Sequence, residues 1–90
     1  MDQSRAFEFR RVSDGLVYRF EPLPNEPGRW RRTDINVICE RRQGRWVVVD
    51  LEGDVTGWPL DSSGESSAPP AGRWQSEKGE KSYVYELVWL

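Results

Sequence analysis

Short stretches of alternating apolar and polar residues, separated by glycines, run through most of the chain. Residues 7–12 alternate in this way, and the Asp14-Gly15 dipeptide that follows is typical of a β-hairpin turn. Residues 16–20 then place three apolar side chains on one face of a second strand. The first twenty residues therefore predict a hairpin.

The middle of the chain begins with a predicted loop, and the pattern that follows fits either a helix or a strand. Residues 21–28 contain three prolines, which lack the backbone N–H donor of regular structure, so this segment is predicted to be a loop. A helix over residues 30–42 fits the spacing of Trp30, Asp34 and Val37, which share one helical face. Three β-branched residues among residues 35–38 favour a strand over 35–39 instead.

The strongest strand signal lies at residues 46–51. Four consecutive apolar residues there predict a strand that is buried on both faces. A turn leads into a strand over residues 55–58, and residues 61–71, rich in serine and proline, are predicted to be a flexible loop. Strands over residues 72–76 and 83–90 complete the pattern, and the last is apolar on both faces.

These elements predict an all-β fold in which residues 1–90 form a single domain. We expect a small antiparallel meander of about six strands. A meander of this size must curl to enclose a core, which predicts a barrel or a compact sandwich. The eleven aromatic residues supply much of that core, since each can bury about 150–250 Å².

The tripeptide Gly-Arg-Trp occurs three times, at residues 28–30, 44–46 and 72–74. The unequal separations, 16 and 28 residues, exclude a repeat of fixed period. We interpret each copy as the start of a strand, where glycine adopts a positive φ, arginine faces water and tryptophan is the first inward residue. Large aromatic residues at such positions close the ends of barrels.

Charge is distributed unevenly along the chain. Residues 1–45 contain ten arginines and seven acidic residues, whereas residues 46–90 contain three basic and eight acidic residues, for a total of −2. Eleven of the thirteen basic residues are arginine, whose planar guanidinium pairs with carboxylates and phosphates and stacks on aromatic rings. Codon bias and a binding role both account for the arginine excess at this point.

The candidate binding surface is centred on Trp30, which we predict to be an exposed tryptophan because arginines flank it beside the proline-rich loop. Tryptophan and arginine dominate protein-binding hot spots. Arginines of the next turn extend this surface if the hairpin brings them alongside. The predicted partner-binding residues are Arg29, Trp30, Arg31, Arg32, Arg41, Arg42 and Arg45.

The sequence offers little catalytic chemistry. It contains no histidine, the commonest general base and metal ligand. Cys39, the one cysteine, lies in an apolar segment and is interpreted as a small buried side chain. The acidic residues Asp50, Glu52 and Asp54 lack the further ligands of a calcium loop and are typical of a turn. We therefore expect no enzyme activity, no cofactor and no metal.

These features predict a non-catalytic protein-interaction module, either an adaptor or an inhibitor of a larger protein, with a phage or virus as one context. The alternative is a small β-barrel that binds single-stranded nucleic acid, stacking bases on Trp30 and pairing phosphates with arginines. The net negative charge favours the first function, because nucleic-acid-binding domains are usually basic.

The expected partner is thus another protein, with nucleic acid as the alternative. No apolar run approaches the roughly 18 residues of a membrane-spanning helix, so no membrane partner is expected. The single cysteine and the polar N-terminus predict a cytoplasmic location. The apolar C-terminal strand predicts an edge through which two copies could pair as a homodimer.

Overall fold

Eight β-strands form a closed antiparallel barrel in the computed structural model, which describes residues 5–60 and 67–90. Each strand pairs with the next along the chain, and β8 pairs with β1 to close the barrel. The predicted all-β meander is therefore confirmed, in its barrel form. The strands are β1 (Phe7–Arg11), β2 (Val17–Pro22), β3 (Trp30–Arg32), β4 (Ile38–Arg42), β5 (Arg45–Val49), β6 (Val55–Pro59), β7 (Gly72–Lys78) and β8 (Lys81–Trp89).

The structure has eight strands where about six were predicted, and the strand that the sequence pattern did not indicate is β3. This strand has only three residues, yet it pairs with β2 on one side and β4 on the other. The segment 30–42 is thus two strands joined by residues 33–37, and not a helix. Within the described residues there is no helix with the length and hydrophobicity that a bilayer crossing requires.

Aromatic side chains fill one end of the barrel. Because neighbouring strands are antiparallel, β1, β3, β5 and β7 all begin at this end, and each turns an aromatic ring inward at or near its first residue. These rings belong to Phe7, Trp30, Trp46 and Trp74, none more than 1 % exposed. Trp30 packs edge-on against Trp46 and Trp89, with ring centroids 5.7 Å apart in both pairs. We call this the closed end.

The Gly-Arg-Trp repeats supply three of these four rings, which confirms the predicted inward tryptophan for the copies at residues 44–46 and 72–74. Gly28, Gly44 and Gly72 all have positive φ, of 87°, 78° and 112°, which an L side chain adopts only with strain. The tryptophan that follows each pair is buried. The repeat is therefore a strand-start motif, used where the chain turns back into the barrel at the closed end.

The prediction that Trp30 is exposed was wrong. Its side chain is fully buried, and its indole Nε1–H donates a hydrogen bond to the Arg5 carbonyl oxygen at 2.9 Å. Alternation along β3 explains the error, because it turns Trp30 and Arg32 inward and leaves Arg31 outside. The flanking arginines indicated an exposed ring only because β3 had not been identified as a strand.

The C-terminal strand is not the free edge that the sequence suggested. β8 pairs with β7 along Lys81–Leu87 and with β1 along Tyr85–Trp89, so its backbone groups are used on both sides. A closed barrel has no edge strand to offer. β8 therefore has no free edge along Tyr85–Leu87, where it pairs with both neighbours, and the homodimer stays a prediction.

The predicted loop 61–71 lies partly outside the described residues, at positions 61–66. The remainder packs on the closed end. Pro69 is fully buried, and the Pro70 carbonyl accepts a hydrogen bond from the indole N–H of Trp74 at 2.9 Å. The second half of this segment thus covers the aromatic rings.

Replacing Trp30 with alanine tests the role of the closed end. We expect the W30A variant to lose about 3–5 kcal/mol of unfolding free energy, the usual cost of deleting a large buried ring. Urea denaturation followed by circular dichroism measures this loss. The neighbouring R31A variant is the control, because Arg31 is exposed on the outer wall and should change stability by less than about 0.5 kcal/mol. Equal losses in both variants would contradict the assignment.

Candidate functional site

The barrel interior is open at the end opposite the tryptophans. A cavity of about 510 Å³ occupies this end, which we call the open end. Its walls come from the later residues of β1, β3, β5 and β7, from residues of β2, β6 and β8, and from the segment between β3 and β4. Exposed residues such as Lys78, Lys81 and Ile35 line it, so the cavity communicates with solvent there.

Aromatic rings form the inner part of the cavity. Phe9 and Phe20 lie deepest, with ring centroids 5.0 Å apart and almost no exposed surface. Tyr85 lies 5.7 Å from Phe9, stacked at 28°, and Tyr18 and Tyr83 lie 5.9 and 6.5 Å from Tyr85. The five aromatic rings thus form a continuous apolar surface, and three of them, the tyrosines, also carry hydroxyl groups.

The opposite wall is built from small side chains. Gly57, on β6, faces Val48 of β5, and a Cβ atom at Gly57 would lie only 3.1 Å from the Cβ of Val48. Ser76 pairs with Gly57 across the β6–β7 ladder, and Thr56 and Ser76 also line the cavity. The register shift between Val48 and Val49 falls at the same place. This wall keeps space open in front of the rings.

Two arginines at the mouth, Arg11 and Arg32, are each held by an aspartate and a tyrosine. Arg11 donates through Nε and Nη2 to both carboxylate oxygens of Asp14, at 2.9 and 2.7 Å. Its guanidinium carbon also lies 4.4 Å from the ring centroid of Tyr83. Such a paired and stacked guanidinium is fixed in orientation far better than a lysine would be.

Arg32 repeats this arrangement on β3. Its Nε and Nη2 donate to the two oxygens of Asp34 at 2.9 and 2.6 Å, and its guanidinium carbon lies 3.8 Å from the ring centroid of Tyr18. We call these two sets, Asp14–Arg11–Tyr83 and Asp34–Arg32–Tyr18, the Asp–Arg–Tyr units. In each unit the arginine is largely buried and the aspartate lies on the solvent side. The side chains of Arg11 and Arg32 are 17 % and 18 % exposed, whereas both aspartate side chains are 53 % exposed.

Cations outnumber acidic residues among the groups that line the cavity, although the chain as a whole is acidic. Arg11, Arg32, Lys78 and Lys81 line it, and Asp50 is the one acidic residue among the lining groups. Further carboxylates lie close by, because Asp14 and Asp34 pair with the arginines and Glu52 and Asp54 lie within 4.8 Å of Asp50. Neither lysine forms an ion pair with any of the residues that the structure describes.

The ionisable groups respond to this environment. Hydrogen bonds from Arg11 and from the Leu16 backbone N–H lower the pKa of Asp14 to about 2. Arg32 lowers the pKa of Asp34 in the same way. Burial raises the pKa of the Tyr85 hydroxyl, although Arg11 and Arg32 both favour its ionised form and oppose the shift. The Tyr85 hydroxyl is therefore neutral near pH 7 and lies within the field of both guanidinium groups.

Only one of the seven predicted partner-binding residues lines this cavity, and that residue is Arg32. Trp30 is buried at the closed end, and Arg31 is exposed on the outer wall. The other arginines gather near the closed end, where Glu40 pairs with Arg29 at 2.8 Å and with Arg42 at 2.7 Å. Arg41 lines a recess there with Arg29, and Arg45 lines a second recess with Arg42. The predicted surface is thus divided among several places.

Two other sequence candidates have structural roles. Asp50 accepts hydrogen bonds from the backbone N–H groups of Glu52 and Asp54, both at 2.9 Å, and so fixes the β5–β6 turn. This bonding brings the three carboxylates within 4.8 Å of one another. Cys39 is fully buried in the core, and loss of solvent raises the pKa of its thiol well above the usual range.

The sequence analysis missed most of the open end. Its tyrosines and Arg11 were assigned to strands, but the end of the barrel at which they meet was not predicted. One signal was present: an aspartate follows Arg11 by three residues and Arg32 by two, each time where an odd-numbered strand ends. Recognising β3 would have brought these two arginine–aspartate pairs to the same end.

Titration of Asp14 tests the first Asp–Arg–Tyr unit. Its carboxyl should titrate at about pH 2, below the value of about 3.9 in an unfolded chain. The pair therefore stabilises the fold above about pH 4, and this contribution is lost as the pH falls through about 2. Carboxyl-detected NMR measures the midpoint directly. The R11Q variant should raise it toward the ordinary value, whereas a wild-type midpoint near 4 would contradict the pairing.

Comparison with known proteins adds no relative to this description of the site. No protein-family model, no curated protein and no solved structure matches the chain.

Proposed function

We propose that this protein binds a small molecule with a flat, apolar body in the open end of its barrel. The observation that carries the proposal is the cavity itself, about 510 Å³ in volume and lined by five aromatic rings. Small-molecule sites usually have volumes of about 300–1,000 Å³, apolar walls and a few polar groups that fix orientation. Eight strands also give a barrel interior wide enough for one small ligand.

The shape of the cavity favours a planar ligand. The rings of Phe9, Phe20 and Tyr85 form one side, and the wall of small residues around Gly57 stands opposite. An aromatic ligand between them would stack on the rings, and aromatic pairs contribute about 0.5–1.5 kcal/mol beyond the burial of their surface. Burial itself contributes about 25 cal/mol for each Å² of apolar surface removed from water.

The barrel also supports binding by holding the cavity in place. Every strand is paired on both sides, and the closed end anchors β1, β3, β5 and β7 through buried rings. A site that needs no rearrangement loses less free energy to ordering when the ligand binds. The lining residues lie on strands that this framework fixes.

The neutral fluorophore N-phenyl-1-naphthylamine tests this function, because it brightens when it leaves water for an apolar site. We expect saturable binding to the folded protein with a dissociation constant of about 10 µM or tighter. Phenylalanine at position 76 should weaken this binding by at least about tenfold, since its ring would fill the space between the walls.

The matched control places the same residue one position earlier. Gln75 precedes Ser76 on β7 and points to the outer wall, because successive strand residues face opposite sides. The Q75F variant should therefore bind the fluorophore within about twofold of wild type. Absence of saturable binding by wild type, or equal weakening in S76F and Q75F, would contradict the proposed function.

The functions expected from the sequence stay predictions. Both the protein-interaction module and the alternative, binding of single-stranded nucleic acid, relied on an exposed Trp30, which is buried. What still supports them is the group of arginines near the closed end, around Glu40. A salt-dependent shift of a labelled oligonucleotide would separate the nucleic-acid function from the others.

A further inference from the structure

The two Asp–Arg–Tyr units place arginine side chains inside the barrel, beside the cavity. Both arginine side chains are inward-facing and line the cavity, and both side chains are more than four-fifths buried. Burial of a charged group is costly unless it is hydrogen-bonded and paired. A single aspartate pairs with each, and it does so from the solvent side.

The hydrogen bonds of each unit use one edge of the guanidinium. The aspartate takes Nε and Nη2, in both Arg11 and Arg32. The pair therefore leaves Nη1, at the far side of the planar fork, unused by the aspartate, and Arg11 also forms a side-chain hydrogen bond with Tyr85. The tyrosine stacked on each guanidinium covers its face. The units thus hold two guanidinium groups rigidly, with donor atoms left over beside an aromatic cavity.

The two units converge on Tyr85. Its ring lies 5.9 Å from that of Tyr18 in one unit and 6.5 Å from that of Tyr83 in the other. Its side chain forms a hydrogen bond with Arg11 and interacts electrostatically with Arg32. The Tyr85 hydroxyl is therefore a neutral donor between two fixed cations.

We propose that the ligand of this cavity carries a carboxylate, bound by Arg11 and Arg32 with the Tyr85 hydroxyl between them, while its aromatic body lies against Phe9 and Phe20. This inference rests on the proposed function and adds the chemical class of the ligand. Arginine nitrogens and a hydroxyl are strong donors to a carboxylate, and such charge-assisted bonds are roughly twice as strong as neutral ones.

The charge at the mouth favours a monoanion over a dianion. Carboxylates already border the mouth: Asp14 and Asp34 pair with the two arginines, and Asp50 lies beside Glu52 and Asp54. A phosphate monoester would bring nearly two negative charges at pH 7 close to these carboxylates, whereas a carboxylate brings one.

Three naphthalene compounds test this class by displacing N-phenyl-1-naphthylamine: 1-naphthoate, the neutral isostere 1-naphthamide and 1-naphthyl phosphate. We expect naphthoate to displace the fluorophore at a concentration at least about tenfold below that of the amide, with the phosphate weaker than naphthoate. Equal displacement by naphthoate and the amide would overturn the inference, as would tighter binding of the phosphate.

Variants then show which groups recognise the anion. In the double variant R11Q/R32Q the preference for naphthoate over the amide should fall to about twofold or less. The matched control R31Q/R45Q removes two exposed arginines that do not line the cavity and should keep the preference. A preference that survives R11Q/R32Q, or that disappears in R31Q/R45Q, would contradict the assignment.

A third variant keeps the test decisive if loss of both arginines unfolds the protein. Y85F removes only the hydroxyl and keeps the buried ring, and it should lower the preference for naphthoate at least about threefold. An unchanged preference in Y85F would exclude the hydroxyl from the site. Failure of the fluorophore itself to bind wild type would refute the proposed function, whereas binding without a preference would refute this inference alone.

Discussion

The pairing of β8 with β1 is the constraint on which the rest of the structure depends. This ladder joins Phe7–Arg11 to Tyr85–Trp89 and turns a meander into a barrel with a fixed cross-section. The interior must then be filled by side chains or left as a cavity. Antiparallel closure also sets the polarity of the interior, because all odd-numbered strands start at one end and stop at the other.

That polarity separates the two ends chemically. Early inward positions of the odd-numbered strands carry a phenylalanine and three tryptophans, whose rings fill the closed end. Late inward positions of the same strands carry Arg11, Arg32, Asp50 and Lys78, which cannot fill a core and instead line the open end. The large rings thus stabilise the fold at one end, and the space they leave at the other end is bordered by polar groups and tyrosines.

The local structure was largely predictable from the sequence because it depends on short-range pattern. Period-two alternation gave most strands, and glycine chemistry gave the hairpin at Gly15 and the strand starts at Gly44 and Gly72. The strand β3 was not predictable in this way, since three residues, two of them arginine, carry no alternation. Because β3 was missed, Trp30 was predicted to be exposed although it is buried. The side of the sheet on which a side chain lies follows from its position in the strand.

The site was less predictable because it depends on which strands meet. Tyr18, Tyr83 and Tyr85 come from the first halves of β2 and β8, which lie far apart in sequence and become close only through β1. The excess of arginine was visible in the sequence, but the distribution of the arginines between the two ends of the barrel was not. Arg11 and Arg32 line the open end, whereas Arg29 and Arg42 pair with Glu40 near the closed end. Only the register of the closed barrel assigns arginines to one end or the other.

The central claim is that the barrel interior is filled at one end and accessible at the other. Backbone ¹H–¹⁵N chemical-shift mapping during titration with N-phenyl-1-naphthylamine tests it most directly, because each end has its own amide signals. The account predicts that the perturbed amides are those of the cavity walls, such as Gly57, Ser76 and Tyr83, with Gly28 and Gly44 unaffected. Perturbations centred on Gly28 and Gly44, or spread over the outer wall, would contradict it.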